Sequence, residues 1–354
     1  MTDWLLFPAH ITAPVALLRR ANPAVRWWLW IMAGLVFAMV LVGGATRLTE
    51  SGLAITEWKP VLGILPPLTM ADWQSEFEKY RQIPQFAQLF PDMDMRHFQF
   101  IYFWEWGHRL LGRLIGLAFA VPLFWFAVRR LLPSGWFGAK LAGLLLLGGL
   151  QGFVGWWMVK SGLSERVEVS QYRLAAHLLL ASLTFAALVW LAASLGPRRA
   201  QTGQGALRPL ASMLVVLVLL QIGLGALVAG LRAGLAYNSW PLMDGVFVPP
   251  FEDLTRLAPL WTNLFENITT VQFQHRMIAY ALLALALWQV FAARRIGGRA
   301  SRRATALAGL VLCQAGVGIA TLLLAVPLWA GLAHQALAMV VLAMAVVNHQ
   351  ALSQ

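Results

Sequence analysis

The chain has 354 residues, 59% hydrophobic and only 12% charged, against about 25% charged in a soluble globular domain; that shortfall excludes a water-soluble enzyme, a disordered chain and a disulfide-stapled secreted domain. The formal net charge of +12, from 27 Lys and Arg against 15 Asp and Glu, points in so apolar a chain to a lipid bilayer with basic residues collected on its cytoplasmic side, and not to nucleic acid. The single cysteine, Cys313, excludes disulfides and cysteine-based metal sites.

A hydrocarbon core about 30 Å thick needs roughly 20 apolar residues in a helix. Eight such runs follow in chain order: 27–46, 99–128, 139–159, 172–195, 209–230, 269–292, 304–326 and 328–350. The first exceeds a signal-peptide core and no small-residue cleavage site follows it, so it reads as a retained helix. The segment 1–26 before it contains Asp3 and little amphipathic pattern, which argues against a transit peptide.

Between the first two spans lies a long loop, about 48–97. After a Pro66-Pro67 break, Thr69-Met70-Ala71-Asp72 reads as a capping box opening a short helix. Trp73, Phe77 and Tyr80 then form one aromatic face, and Pro84 ends the helix. It is expected to lie on the membrane surface or over the bundle.

One side of the membrane takes the first segment, the 2–3, 4–5 and 6–7 loops and the last residues. It carries fourteen of the Lys and Arg, including Arg129-Arg130, Arg198-Arg199, Arg294-Arg295 and Arg302-Arg303, and its only acid is Asp3. The positive-inside rule makes this side cytoplasmic. The long loops are then expected on the opposite, outer side.

The second and sixth spans share Glu/Gln-x-x-His-Arg: Glu105 to Arg109 and Gln272 to Arg276. The fourth and eighth each carry one histidine, His177 and His334. The third, fifth and seventh carry Gln-x-x-x-Gly, at Gln151–Gly155, Gln221–Gly225 and Gln314–Gly318. The chain therefore divides into a 1–26 segment, a four-helix half over 27–195, a linker at 196–208, a second half over 209–350 and a 351–354 tail. The glycines read as close-packing positions in lipid. Three span ends repeat x-x-Gly-Leu, at Glu50–Leu53, Lys160–Leu163 and Arg232–Leu235, and each reads as a glycine stop.

His108, His177, His275 and His334 each lie roughly 6–10 residues from the outer entry of their span, about 10–15 Å deep at ~1.5 Å per residue. A lone membrane histidine can be a hydrogen-bonded packing residue. Four at matched depth, two per repeat, point to function, because intramembrane ionisable groups are costly and neutral imidazole is a common metal ligand. A zinc or di-iron site would draw in several carboxylates; here Glu105 alone is available. Two facing histidines per half suit the axial positions of a haem iron, which gives two haem sites.

Arg109 and Arg276 occupy matching places and are candidates for contacts with haem propionates, as a forked donor suits carboxylates; Arg113 shares the face of Arg109, and Arg47, Arg173 and Arg232 stand at other outer ends. The alternative for each is snorkelling to the headgroups. Glu105 is a candidate acid–base group, with a salt bridge to Arg109 as its alternative, and its counterpart Gln272 cannot ionise. This asymmetry suggests that the first half does chemistry and the second holds a permanent haem. His10, His97 and His349 read as structural, Cys313 as a packed thiol and most of the 17 Trp as interface anchors.

Several runs together resemble the haem A synthase family. They include Gly43-Gly-Ala-Thr-Arg47-Leu-Thr-Glu-Ser-Gly52-Leu, Ile55-Thr-Glu-Trp-Lys-Pro60, Glu105-Trp-Gly-His-Arg109, Gln151-Gly-Phe-Val-Gly-Trp156, Tyr172-Arg-Leu-Ala-Ala-His177, Asn238-Ser-Trp-Pro-Leu-Met243 and Val271-Gln-Phe-Gln-His-Arg276. The resemblance covers nearly all of 27–350, and the absence of cysteine pairs in the outer loops is similar to the family's cysteine-free branch. It implies an all-α membrane oxidoreductase of two four-helix halves that oxidises a ring methyl of haem O to a formyl group by successive hydroxylations, giving haem A for cytochrome oxidase. It further implies His108 and His177 flanking the substrate haem, His275 and His334 ligating a haem B cofactor, and Glu105 as the essential acid. Expected partners are an electron acceptor or donor, haem O synthase and cytochrome oxidase assembly factors. The competing readings are a dihaem b-type cytochrome, which needs haems at two depths, and a transporter, which needs broken helices at mid-membrane.

Overall fold

The computed structural model describes residues 22–59, 62–164, 166–197 and 201–353. Asp3, His10, Pro60 and the pair Arg198-Arg199 lie outside the described residues. Among those described, eight helices are long and apolar enough to cross a membrane. They are α1 (Pro23–Leu48), α4 (Met95–Val128), α5 (Phe137–Lys160), α6 (Gln171–Ser194), α7 (Arg208–Gly230), α10 (Ile268–Arg294), α11 (Gly298–Leu323) and α12 (Leu328–Leu352). Four short helices lie in the loops: α2 (Met70–Arg81), α3 (Pro84–Leu89), α8 (Phe251–Leu254) and α9 (Asn263–Glu266).

The helix starts follow local chemistry. The Asn22 side chain caps α1, and Pro23, with no amide hydrogen to satisfy, takes its first position. Asp94 caps α4 through the His97 amide, which starts that helix four residues before the apolar run. The Asn267 side-chain oxygen Oδ1 accepts from the Thr269 and Thr270 amides at the mouth of α10.

Three local expectations are corrected. Pro84 does not merely end the aromatic helix, which closes at Arg81; it opens α3 at its first turn. The run read as 304–326 is helical only to Leu323, and Ala325 and Val326 turn the chain with φ of 56° and 57°. The x-x-Gly-Leu ends are not glycine stops. The left-handed residues there are Glu50 (φ 59°) and Arg232 (φ 51°), while Gly162 lies where a Cβ would meet Leu53 at 2.8 Å. That glycine is needed for close approach between loops.

Helix α1 packs against α4, α6 and α12, α6 packs against α7, and α10 and α12 each pack against α7 and α11. One apolar core, with Leu29, Met32, Leu188, Leu214 and Leu342 in it, fills the seam. A second cluster covers the long-loop end. Trp73, Phe77 and Tyr80 of α2 are buried there, with Phe77 stacked on Phe98 at 4.8 Å and Trp73 edge-on to Tyr102 at 5.0 Å. The aromatic face therefore points down onto α4, over the bundle. Burial of each such ring is worth roughly 1.5–3 kcal/mol, which pins the outer loop as a cap. At the same end Glu168 pairs with Arg47 and Arg232, and Arg232 also pairs with Glu50. These ion pairs join the loop after α1, the α5–α6 loop and the end of α7.

Candidate functional site

A cavity of about 1990 Å³ opens inside the bundle, roughly twice the ~1000 Å³ upper end of ordinary ligand pockets. His108 (α4), His177 (α6), His275 (α10) and His334 (α12) all line it, with Glu105, Arg109 and Arg276. The rings of His275 and His334 stand 6.4 Å apart between centroids, at 71°. Among the described residues no group of three or more His, Cys, Asp or Glu is placed to hold a bare metal ion. The donor set is imidazole.

Each imidazole lies against a glycine on the preceding spanning helix. A Cβ built on Gly155 (α5) would fall 2.9 Å from His177 Cε1, one on Gly225 (α7) 3.2 Å from His275 Cε1, and one on Gly318 (α11) 2.7 Å from His334 Cε1. On α1, a Cβ at Gly43 would fall 3.0 Å from His108 Nε2. The glycines therefore seat rings as well as packing helices. One turn before the glycine, and so on the same face, stand Gln151, Gln221 and Gln314. Each glutamine amide donates to the main-chain carbonyl of its histidine, at 3.1, 2.9 and 3.0 Å respectively. The same nitrogen lies 3.1 Å from Nδ1 of that histidine in all three pairs. The glutamine oxygens are buried and have no partner.

Glu105 is buried, at 2% exposed. Its Oε2 accepts from the Ile55 main-chain amide at 2.7 Å, and its Oε1 accepts from Arg109 at 2.6 and 3.1 Å. Arg109 also donates to the carbonyls of Ile55 and Glu57, at 2.8 and 3.0 Å. The ion pair thus fastens α4 to the outer loop. At the matching place Gln272 donates to the Ala233 carbonyl at 2.8 Å, and Arg276 donates to the Tyr237 and Leu242 carbonyls at 3.0 and 3.2 Å. Both arginines face the cavity with part of their donor set already spent on loop carbonyls. Of the other outer arginines, Arg113 donates to the Lys59 carbonyl and Arg173 to that of Trp157, whereas Arg47 and Arg232 are in the ion pairs above. Glu57 stands above the site on the loop, and hydrogen bonds from Lys59 and Lys79 hold its carboxyl below the usual value.

His97 heads α4, and His349 Nε2 meets the Ser212 hydroxyl at 2.8 Å near the other end of the bundle. Neither joins the cavity. Cys313 is exposed on α11 and is not the packed thiol expected, because a helix that faces lipid is apolar on its outer side too. Sequence reasoning missed the three glutamines as partners of the histidines. The signal was there, in the Gln-x-x-x-Gly shared by three spans.

Two imidazole pairs, a glycine that leaves room beside each ring and a glutamine amide against three of the four rings fit the axial ligation of haem. The mainly apolar cavity lining fits its macrocycle.

A family model described as cytochrome oxidase assembly protein matches residues 26–346. The chain is 62% identical over 341 residues to Heme A synthase of Beijerinckia indica subsp. indica, covering 95% of each chain. It is 57% identical over 337 residues to Heme A synthase of a Methylobacterium species, covering 93% of this chain and 92% of that one. It is 55% identical over 336 residues to Heme A synthase of Azorhizobium caulinodans, covering 95% of each.

Proposed function

The chain belongs to the cytochrome oxidase assembly protein family, and from that premise we propose that it is a haem A synthase, a membrane oxidoreductase that converts a ring methyl of haem O to the formyl group of haem A. One observation carries the reading. Two imidazole pairs open on one cavity, and a carboxylate, Glu105, stands beside one pair where an amide, Gln272, stands beside the other.

His108 and His177 would orient the substrate haem, and His275 and His334 would hold haem B as the electron relay. Bound haem supplies redox-active iron. Everything else comes from the chain. Glu105, held by Ile55 and Arg109, can take or give a proton at Oε1 or Oε2 in a site largely walled off from water. Gln272 cannot, which suits a half that only stores a cofactor. Arg109 and Arg276 fix the outer loops over the two sites and offer their remaining donors to propionates. The aromatic cap of α2 packs on α4 at this end of the bundle. The long-loop end would face the periplasm of a bacterial inner membrane, with the repeat dividing the chain at 196–208. Haem O synthase and oxidase assembly factors would be partners for delivery and collection.

The test is expression beside a haem O supply, followed by extraction and mass analysis of the pigments. Wild type is expected to yield haem A; haem O alone would reject the reading.

A further inference from the structure

Two cavities meet at Arg109, the ion-pair partner of Glu105. The second, of about 430 Å³, is a cleft between α4, the loop after α1 and α2. We propose that this cleft is a water-filled proton route serving Glu105, and that the second half closes the same place with aromatic rings. The proposal rests on the haem A synthase reading above and adds to it how protons pass between the reacting half and the outer solution.

Oxidising a methyl group to a formyl group moves protons as well as electrons. Whether water or dioxygen supplies the oxygen, one proton crosses between site and solvent for each electron that leaves or enters. The carboxylate that can carry it is buried, and a macrocycle in the main cavity would cover its bundle side. The exchange then needs a polar way out on the loop side. The cleft is polar and far larger than the ~30 Å³ share of a single water. Glu57, Lys59, Glu76 and Lys79 line it and pair with one another, and its outer margin carries the exposed Asp72 and Ser75.

Helix α4 is the shared wall. Glu105, Gly112 and Gly116 line the main cavity only, Tyr102 lines the cleft only, and Arg109 and Arg113 line both. Tyr102, Arg109 and Arg113 fall on one helical stripe, at i, i+7 and i+11, beside the stripe that carries Glu105. The two arginines therefore form the partition. Arg109 touches both sides of it, donating to Glu105 Oε1 at 2.6 Å and to the carbonyls of Ile55 and Glu57 at 2.8 and 3.0 Å. A proton taken up by Glu105 cancels the charge that holds the guanidinium to it, while the two carbonyls keep their hold. The ion pair opens to the cleft and the loop stays in place.

The second half fills the corresponding place differently. Tyr280 follows Gln272 at the spacing by which Arg113 follows Glu105. Arg113 donates to the Lys59 carbonyl at 3.0 Å, whereas Tyr280 carries the ring of Phe247 stacked on it, at 6.1 Å and 18°. The first loop brings Glu57 and Lys59 to its helix, and the second brings Phe247 flanked by Val246 and Val248. A half that only relays electrons has no use for a proton route.

The test uses the full chain, expressed beside a haem O supply and held in lipid nanodiscs, with a charged, membrane-impermeant thiosulfonate as probe. Arg113→Cys should take up the reagent with haem bound and Tyr280→Cys should not; the native Cys313, exposed on α11, gives the background in wild type. Reaction at both introduced cysteines alike, or at neither, would overturn the proposal. Ser75→Trp should put a ring into the cleft, keep the haem content and low-spin spectrum, and slow haem A formation about tenfold, one decade of the ~10²–10⁴ that a positioned acid–base group contributes. Gln74→Trp, exposed beside it and outside the lining, should form haem A at the wild-type rate. Unslowed formation in Ser75→Trp would also overturn the route, and that variant decides if Arg113→Cys loses its haem. A wild-type chain that makes no haem A would instead overturn the function beneath the proposal, whereas labelling at Arg113→Cys is read without turnover.

Discussion

The main-chain amide of Ile55 donates to Glu105 at 2.7 Å, so a buried carboxylate on α4 is held by the first turn of loop beyond the end of α1. The matching pair in the other half has its polarity reversed, with the Gln272 amide donating to the Ala233 carbonyl. An acceptor site in one half is a donor site in the other. Only the first can exchange a proton.

Glu105→Gln keeps the size and can still accept from Ile55 through its amide oxygen, but loses the charge paired with Arg109. Haem content is expected to hold while haem A formation falls on the order of 10²-fold or more, the usual contribution of a positioned acid–base group. Pigment extraction reads both. Undiminished haem A would remove Glu105 from the chemistry.

A methyl group tests the ring seats. Gly318→Ala puts a Cβ 2.7 Å from His334 Cε1, whereas Gly316→Ala on the same helix meets nothing within 4 Å. Overpacking of this kind costs about 1–3 kcal/mol and must displace the ring. Gly318→Ala should lose the low-spin haem spectrum and Gly316→Ala should keep it; equal spectra would contradict the seating.

The α2 cap is a separate prediction. Trp73 is buried between Phe98, Tyr102 and Phe103, and Trp→Ala in a packed site costs roughly 3–5 kcal/mol. Trp73→Ala should speed hydrogen exchange over 70–89 and leave the spanning helices unchanged. Equal exchange in that segment would mean that the aromatic face does not hold the cap.

The cap should also loosen in acid. Hydrogen bonds from Lys59 and Lys79 lower the Glu57 pKa below its ordinary 4.5. A carboxyl with a depressed folded value stabilises the fold above the ordinary value, and that contribution is lost as pH falls through the folded one. Protection over 70–81, taken relative to the intrinsic exchange rate at each pH, should therefore be flat from neutral pH to 4.5 and fall below it. Glu57→Gln should remove the acid step, since the carbonyl that receives Arg109 is untouched. An acid step of the same size in Glu57→Gln would assign it elsewhere.

The eight spans were legible because length and apolarity alone define a membrane helix, and Thr69 with Asp72 announced α2. The four histidines were legible because polar residues stand out in lipid-spanning runs. The partners of those histidines were not. Gln151 and Gly155 share a face with His177 only once α5 is set against α6, and hydrophobic periodicity does not reveal that face when lipid and core are equally apolar. Cys313 went wrong for the same reason. The turns at Glu50 and Arg232 escaped because a glycine two residues on offered a simpler explanation, whereas the ion pairs with Glu168 bring together segments far apart in sequence.

The central claim is that two imidazole pairs hold two haems, one exchanging and one permanent. The direct measurement is haem content and low-spin spectrum in the four single His→Ala variants of the full chain. His275→Ala and His334→Ala are each expected to lose the low-spin haem B signal and keep the first-half haem, and His177→Ala to lose the first-half haem and keep haem B. Two haems retained in all four variants, with the wild-type spectrum, would contradict the account.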